Sequence, residues 1–142
     1  MAKRSSVIEA KNRILSACVK MFIEKGYKET TMLDIIREAG VSAGTFQNIF
    51  RTKDGVLTEI VNVMFDNQFS TAESIVGGSS DPVLLYSVEL AVQMTLAELN
   101  ENLRQIYVEA YTQPKINEYI CQKTSSELYK IFGGIMPRYS ES

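Results

Sequence analysis

Histidine is absent from this sequence of 142 residues, and cysteine occurs only twice, at Cys18 and Cys121. Without imidazole the commonest general base and the commonest metal ligand are both missing, and two thiols so far apart suggest neither a metal knuckle nor a redox pair. No cofactor and no metal are expected. Cys18 falls among Leu15, Met21 and Phe22 and reads as a small buried thiol, and Cys121 is read the same way. Paired carboxylates beside a nucleophile are lacking, as is a glycine-rich phosphate loop, so an enzyme is the weakest functional reading. With only 3 prolines and 8 glycines, little prevents long helices. Long apolar runs are missing too. Lys3 and Arg4 open the chain, read as a loose basic start with an arm on phosphates or in a minor groove as the alternative, and polar residues follow before any secretory stretch develops. The most apolar segment, Pro82 to Leu99, contains Glu89, Gln93 and Glu98, which make it a poor membrane span. It is expected to be a buried helix of a cytoplasmic protein that needs no membrane.

What is present is a core-forming chain, because 45% hydrophobic and 23% charged residues exceed what a disordered segment carries. The net charge of −2 is unevenly spread. Residues 1–60 hold ten Lys or Arg against seven Asp or Glu, a balance of +3, and the remainder carries −5. A modestly basic head on an acidic body suits phosphate attraction at one end.

Helical periodicity runs through the whole chain, and no strand pattern or internal repeat appears. Ile14, Leu15, Cys18, Met21 and Phe22 form one apolar stripe on a helix from Ser5 to Lys25, which Gly26 stops and on which Tyr27 packs back. Thr31 followed by Asp34 is a capping arrangement for a second helix bearing Met32, Ile35, Ile36 and Ala39, ended by Gly40. Gly40-Val41-Ser42 then supplies an exit glycine, an apolar anchor and a cap for a third helix, Ala43 to Phe50. On that helix Phe46, Ile49 and Phe50 share one face, while Gly44, Gln47, Asn48 and Arg51 share the other. Small Ala43 and Gly44 permit close approach to a nucleic-acid backbone, and Gln and Asn amides match the N6 and N7 edge of adenine.

Ile14-Leu15, Phe22, Glu24-Lys25-Gly26-Tyr27, Thr30-Thr31, Ile35, Ala39-Gly40-Val41-Ser42 and Gly44-Thr45, continued by Phe50 and Lys53, resemble the head of the tetracycline-repressor (TetR) family over about residues 10–57. The resemblance implies double-stranded operator DNA as partner, with Thr31 and Lys53 on phosphates and Ser42, Ala43, Gly44, Thr45, Gln47 and Asn48 in the recognition segment. It further implies a homodimer whose small-molecule effector changes the separation of two heads, with repression as the default output. One departure stands out. The family usually has tyrosine where Gln47 stands, and often a histidine or tyrosine near Asn48 or Ile49, so the resemblance carries over no phosphate contact from that ring and leaves Gln47 free for base edges or a weaker hydrogen bond.

Thr52 caps a fourth helix whose spacing runs through Val56, Leu57, Ile60, Val61, Met64, Phe65, Ala72 and Ile75, so a long helix as far as Val76 is expected. Gly77-Gly78-Ser79-Ser80 breaks it, Asp81-Pro82 opens a helix to Leu99, and Glu101 to Thr112 and Lys115 to Phe132 give two more. The expected fold is all-α: a helix-turn-helix head, residues 1–52, joined through the long fourth helix to a regulatory body, residues 53–142. Met64, Phe65, Phe69, Tyr86, Met94, Tyr107 and Tyr111 are candidates to line a cavity for a small, largely apolar effector. Gly133-Gly134-Ile135-Met136-Pro137 breaks the last helix where related chains continue, so the body is expected to be partial, leaving this length mostly monomeric. The alternative is a helical protein-interaction module, which would have no use for Lys53 or for the small residues opening the third helix.

Overall fold

The computed structural model describes residues 2–79 and 81–135. Among the described residues eight helices follow one another: α1 (Ala2–Glu24), α2 (Met32–Ala39), α3 (Ala43–Ile49), α4 (Lys53–Asp66), α5 (Ser70–Val76), α6 (Pro82–Leu99), α7 (Glu101–Thr112) and α8 (Pro114–Phe132). Among the described residues there is no strand.

Local signals set most of the boundaries. Thr31 and Asp34 form a reciprocal capping box at the start of α2, and Ser42, Thr52, Asp81 and Asn100 each accept a backbone N–H in the first turn of α3, α4, α6 and α7. Each such cap contributes about 1 kcal/mol. At the end of α2, Gly40 is left-handed with φ 62°, and its N–H reaches the carbonyls of Ile36 and Arg37. A Cβ there would also meet Arg13 Nη2 at 2.9 Å, so both conformation and space call for glycine.

α1 packs on α2, α3, α4 and α7, and α4 packs in turn on α7 and α8. One continuous apolar core results. It joins Ile14, Cys18 and Phe22 of α1 to Ile35, Phe46, Val56 and Leu57, and then to Ile106, Ala110, Ile116 and Ile120 of α7 and α8. Fully burying a side chain the size of Phe22 or Ile14 contributes about 1.5–3 kcal/mol, so head and body stabilise each other across this shared interior.

Four expectations need correction. The fourth helix does not run to Val76: it stops at Asp66, and α5 starts again at Ser70. Asn67 donates to the Val63 carbonyl, and the Asn67 carbonyl accepts from both the N–H and the hydroxyl of Ser70. These local bonds replace the helical ladder, and Phe69 turns inward to become buried. The helix from Pro82 to Leu99 is not buried: Glu89 is its only buried residue, while Val83, Leu84, Leu90, Met94, Leu96 and Leu99 are exposed. Its length and composition would suit a membrane span, and it is the one such helix among the described residues. Glu89 at its middle argues against that use. Cys121 is exposed, unlike Cys18. Lys3 and Arg4 form part of the first turns of α1 rather than a loose arm. The stop after Phe132 and the break at Gly77 are as expected, whereas Ser80, Met136 and Pro137 lie outside the described residues.

Candidate nucleic-acid interface

α3 is held to the core by Phe46, which is fully buried and leans on Phe50 with ring centroids 6.2 Å apart. That anchor fixes which residues face outward. Ser42, Ala43, Gly44, Gln47, Asn48 and Arg51 are exposed together, and Thr45 is half-buried with its hydroxyl 2.9 Å from that of Ser42. A Cβ added at Gly44 would meet nothing nearer than Ser42 Oγ at 3.9 Å. Nothing inside the chain therefore requires that position to be small. Arg51 follows in a left-handed conformation, φ 61°, which costs a non-glycine residue on the order of 1 kcal/mol.

Thr31 is exposed at the start of α2, its oxygen accepting the Asp34 N–H at 3.1 Å. Lys25 beside Asp34, together with the N–H of Thr31, holds the Asp34 carboxyl down to about 2. Lys53 lies differently from its expected place on a phosphate. Its ammonium donates to the carbonyls of Tyr27 at 2.7 Å and Thr30 at 3.2 Å, and sits 4.3 Å from the Tyr27 ring centre. An ammonium has three donors, so one remains beyond these two bonds. Several other head cations are also engaged: Lys11 with Glu59, Lys20 with Glu38, and Arg13 with the carbonyls of Ala39 and Gly40. Exposed Lys28, in the turn before Thr31, makes no ion pair among the described residues, and neither does Arg51. Charge counting alone gave no means of separating these two from the engaged cations.

Behind the head, Asp54 in the first turn of α4 accepts from the Tyr27 hydroxyl and, at 3.1 Å, from the Gln113 amide between α7 and α8. Burial, and then Asp54, push the Tyr27 phenol well above its usual range, so it stays a donor. Asn102 of α7 donates to the Ile23 carbonyl of α1 at 2.8 Å. These polar ties between head and body were not anticipated, because their partners lie up to 79 residues apart.

The seven aromatic and methionine candidates in the body do not gather round one cavity. Phe65 and Phe69 border a depression of about 350 Å³, whose other walls include Asp66, Glu73, Lys123 and Glu127. Met64 is half-buried on α4, Phe65 packs edge-on against Tyr119 and Tyr86 against Phe132. Tyr107 donates to the Gln93 oxygen at 2.6 Å, while Met94 and Tyr111 are 68% and 53% exposed.

Residues 14–60 match the family model for bacterial regulatory proteins of the tetR family. The chain is similar to the HTH-type transcriptional regulator HbdR of Aromatoleum sp., 36% identical over 77 residues, covering 54% of this chain and 34% of that protein. It is also similar to the HTH-type transcriptional regulator QacR of Staphylococcus aureus, 25% identical over 111 residues, covering 76% and 59%. The HTH-type transcriptional repressor KstR2 of Mycolicibacterium smegmatis is 26% identical over 73 residues, covering 51% and 36%. The chain thus spans less than two thirds of the length of each of these relatives. The capped helix-turn-helix and the match over residues 14–60 make the head of this chain similar to the heads of bacterial regulatory proteins of the tetR family.

Proposed function

We propose that this chain binds operator DNA through the outer face of α3 and regulates transcription as a ligand-responsive repressor, the complete protein working as a homodimer. The observation that carries the reading is the exposed row Ser42, Ala43, Gly44, Gln47 and Asn48 on a helix anchored from behind by Phe46. Gly44 is small without any internal need for it, which suits a backbone approaching from outside. In this reading Gln47 and Asn48 read base edges, while Thr31, Ser42, Ala43 and Thr45 lie along the phosphates. Lys28 and Arg51 add phosphate contacts. Lys53 acts chiefly by holding the turn before α2, with one N–H left for a phosphate.

Regulators and a repressor among the similar proteins support the reading by name. The aromatic residues of α6 and α7, Tyr86 and Tyr107, are the more suitable part of the candidate effector lining, because Met94 and Tyr111 face solvent.

Selection of bound duplexes from a random pool at fixed salt is the direct test. Inverted half-sites about 34–36 Å apart, or a multiple of that spacing, are expected. Gln47→Ala should relax the preference at one base pair in each half-site, costing about 1–3 kcal/mol there. Equal weakening on every duplex would make Gln47 a backbone contact, and no enrichment at all would favour a protein-interaction module.

A further inference from the structure

Helix α6 is amphipathic in the reverse sense. Its exposed side carries Leu90, Met94 and Leu99, and its one buried residue is Glu89, 1% exposed. Taking a carboxylate out of water costs several kcal/mol unless hydrogen bonds or an opposite charge replace the solvent. Here the replacement is half complete. Glu89 Oε1 accepts from Gln93 Nε2 at 2.8 Å, and the Gln93 oxygen accepts from the Tyr107 hydroxyl at 2.6 Å. Glu89 Oε2 is buried and has no partner among the described residues. A purely structural network would be closed, since a partly satisfied one is worse than an apolar core. Burial also drives the carboxyl above its ordinary range.

The surroundings suit one class of ligand. Tyr86 lies three residues before Glu89, on the same face of α6, and is held edge-on by Phe132 at 5.8 Å. Tyr107 approaches from α7 through Gln93. Aromatic faces and a desolvated carboxylate both attract a cation, and an oxygen lacking a donor calls for an N–H. We propose that Glu89, Tyr86 and Tyr107 form the recognition point for an organic ammonium ion, an alkyl- or arylalkylamine in its protonated form. This rests on the reading of the body as the regulatory part, and it replaces a largely apolar effector with a cationic one.

Access lies along the seam between α6 and α7. Gln93 to Tyr107 is the one side-chain hydrogen bond joining those two helices among the described residues, and α6 contributes no residue to the main core. Parting them therefore disturbs little else. The ammonium then takes Oε2 as acceptor, with its hydrocarbon part against the tyrosine rings.

Calorimetry on the whole chain with 2-phenylethylammonium, against neutral 2-phenylethanol of the same shape, tests this. The ammonium should bind more tightly than the alcohol, and Glu89→Gln should weaken the ammonium at least about tenfold and the alcohol, a neutral donor, by less. In the unmodified protein the ammonium should shift the carboxyl carbon resonance of Glu89 more than that of any other glutamate, a readout independent of any variant's folding. Equal binding of ammonium and alcohol, undiminished binding to a folded Glu89→Gln, an unmoved Glu89 resonance, or no binding of the ammonium at millimolar concentration would each overturn the site. Duplex binding without ligand is measured in parallel. Its loss with ammonium binding retained would sink the DNA reading and leave the site standing, and the reverse result would sink the site alone.

Discussion

A thiol reacts as its thiolate and only where a reagent can reach it, so the two cysteines should behave as opposites. Cys18 is fully buried, and burial pushes its thiol up to about 12. Cys121 is exposed on α8, its sulfur 3.5 Å from the Asn117 side-chain oxygen. A disulfide-exchange reagent at pH 8 is expected to label one thiol per native chain, at Cys121, and two after denaturation. Rapid labelling of both in the native protein would mean that the interior of α1 opens readily. The surroundings of Cys18 were plain in the sequence because Leu15, Met21 and Phe22 are local, helix-spaced neighbours. Those of Cys121 were not, since its exposure depends on how α8 is turned against α4 and α7. Glu89 was visible as a charge within an apolar stretch, but its burial depends on which side of α6 meets α7, and composition carries no such direction.

At the scale of the helix, the first residue of α4 is fastened to the turn that precedes α2. Lys53→Met keeps the stem of the side chain and removes two charged hydrogen bonds, leaving the Tyr27 and Thr30 carbonyls short of donors. The expected loss is about 2 kcal/mol, read as a fall of roughly 4–8 °C in the melting temperature. A variant of unchanged stability that lost only duplex affinity would restore Lys53 to a phosphate and refute the fastening role. Helix starts were legible because a cap and the N–H it satisfies lie within three residues, as with Ser42 and Thr45 or Thr52 and Gly55. The end of α4 was not. Ala72 and Ile75 keep the apolar period across the break, and only the polar run Asp66-Asn67-Gln68 hinted that side chains would compete for the backbone there.

The molecule as a whole divides by packing rather than by sequence position. α1 to α4 share their interior with α7 and α8, while no residue of α5 or α6 belongs to that core. Native-state hydrogen exchange should therefore show amides of α5 and α6 opening at a lower free energy than those of α1 and α4, as a separate unit. If α5 and α6 exchanged as slowly as Phe22 and Leu57, the core would extend further than the packing indicates. The expected separation into a head and a regulatory body captured the chain order of the helices. It could not reveal that α7 lies against α1 and α8 against α4, while α5 and α6 stay outside the shared core, because that follows from contacts such as Asn102 with Ile23.

The shared acceptor at Asp54 gives this arrangement a mechanical meaning. One oxygen atom is approached from the head by Tyr27 and from the body by Gln113. With both of its lone pairs engaged, it works as a pivot pin. A tilt of α7 that carries Gln113 along must rotate the carboxylate, and the phenol follows or loses its acceptor. Because Lys53 rests on the same tyrosine ring, such a rotation reaches the turn ahead of α2 without any bending of α4. The transmission resembles a bell crank, changing the direction of a small movement, more than a rod that pushes along its own axis.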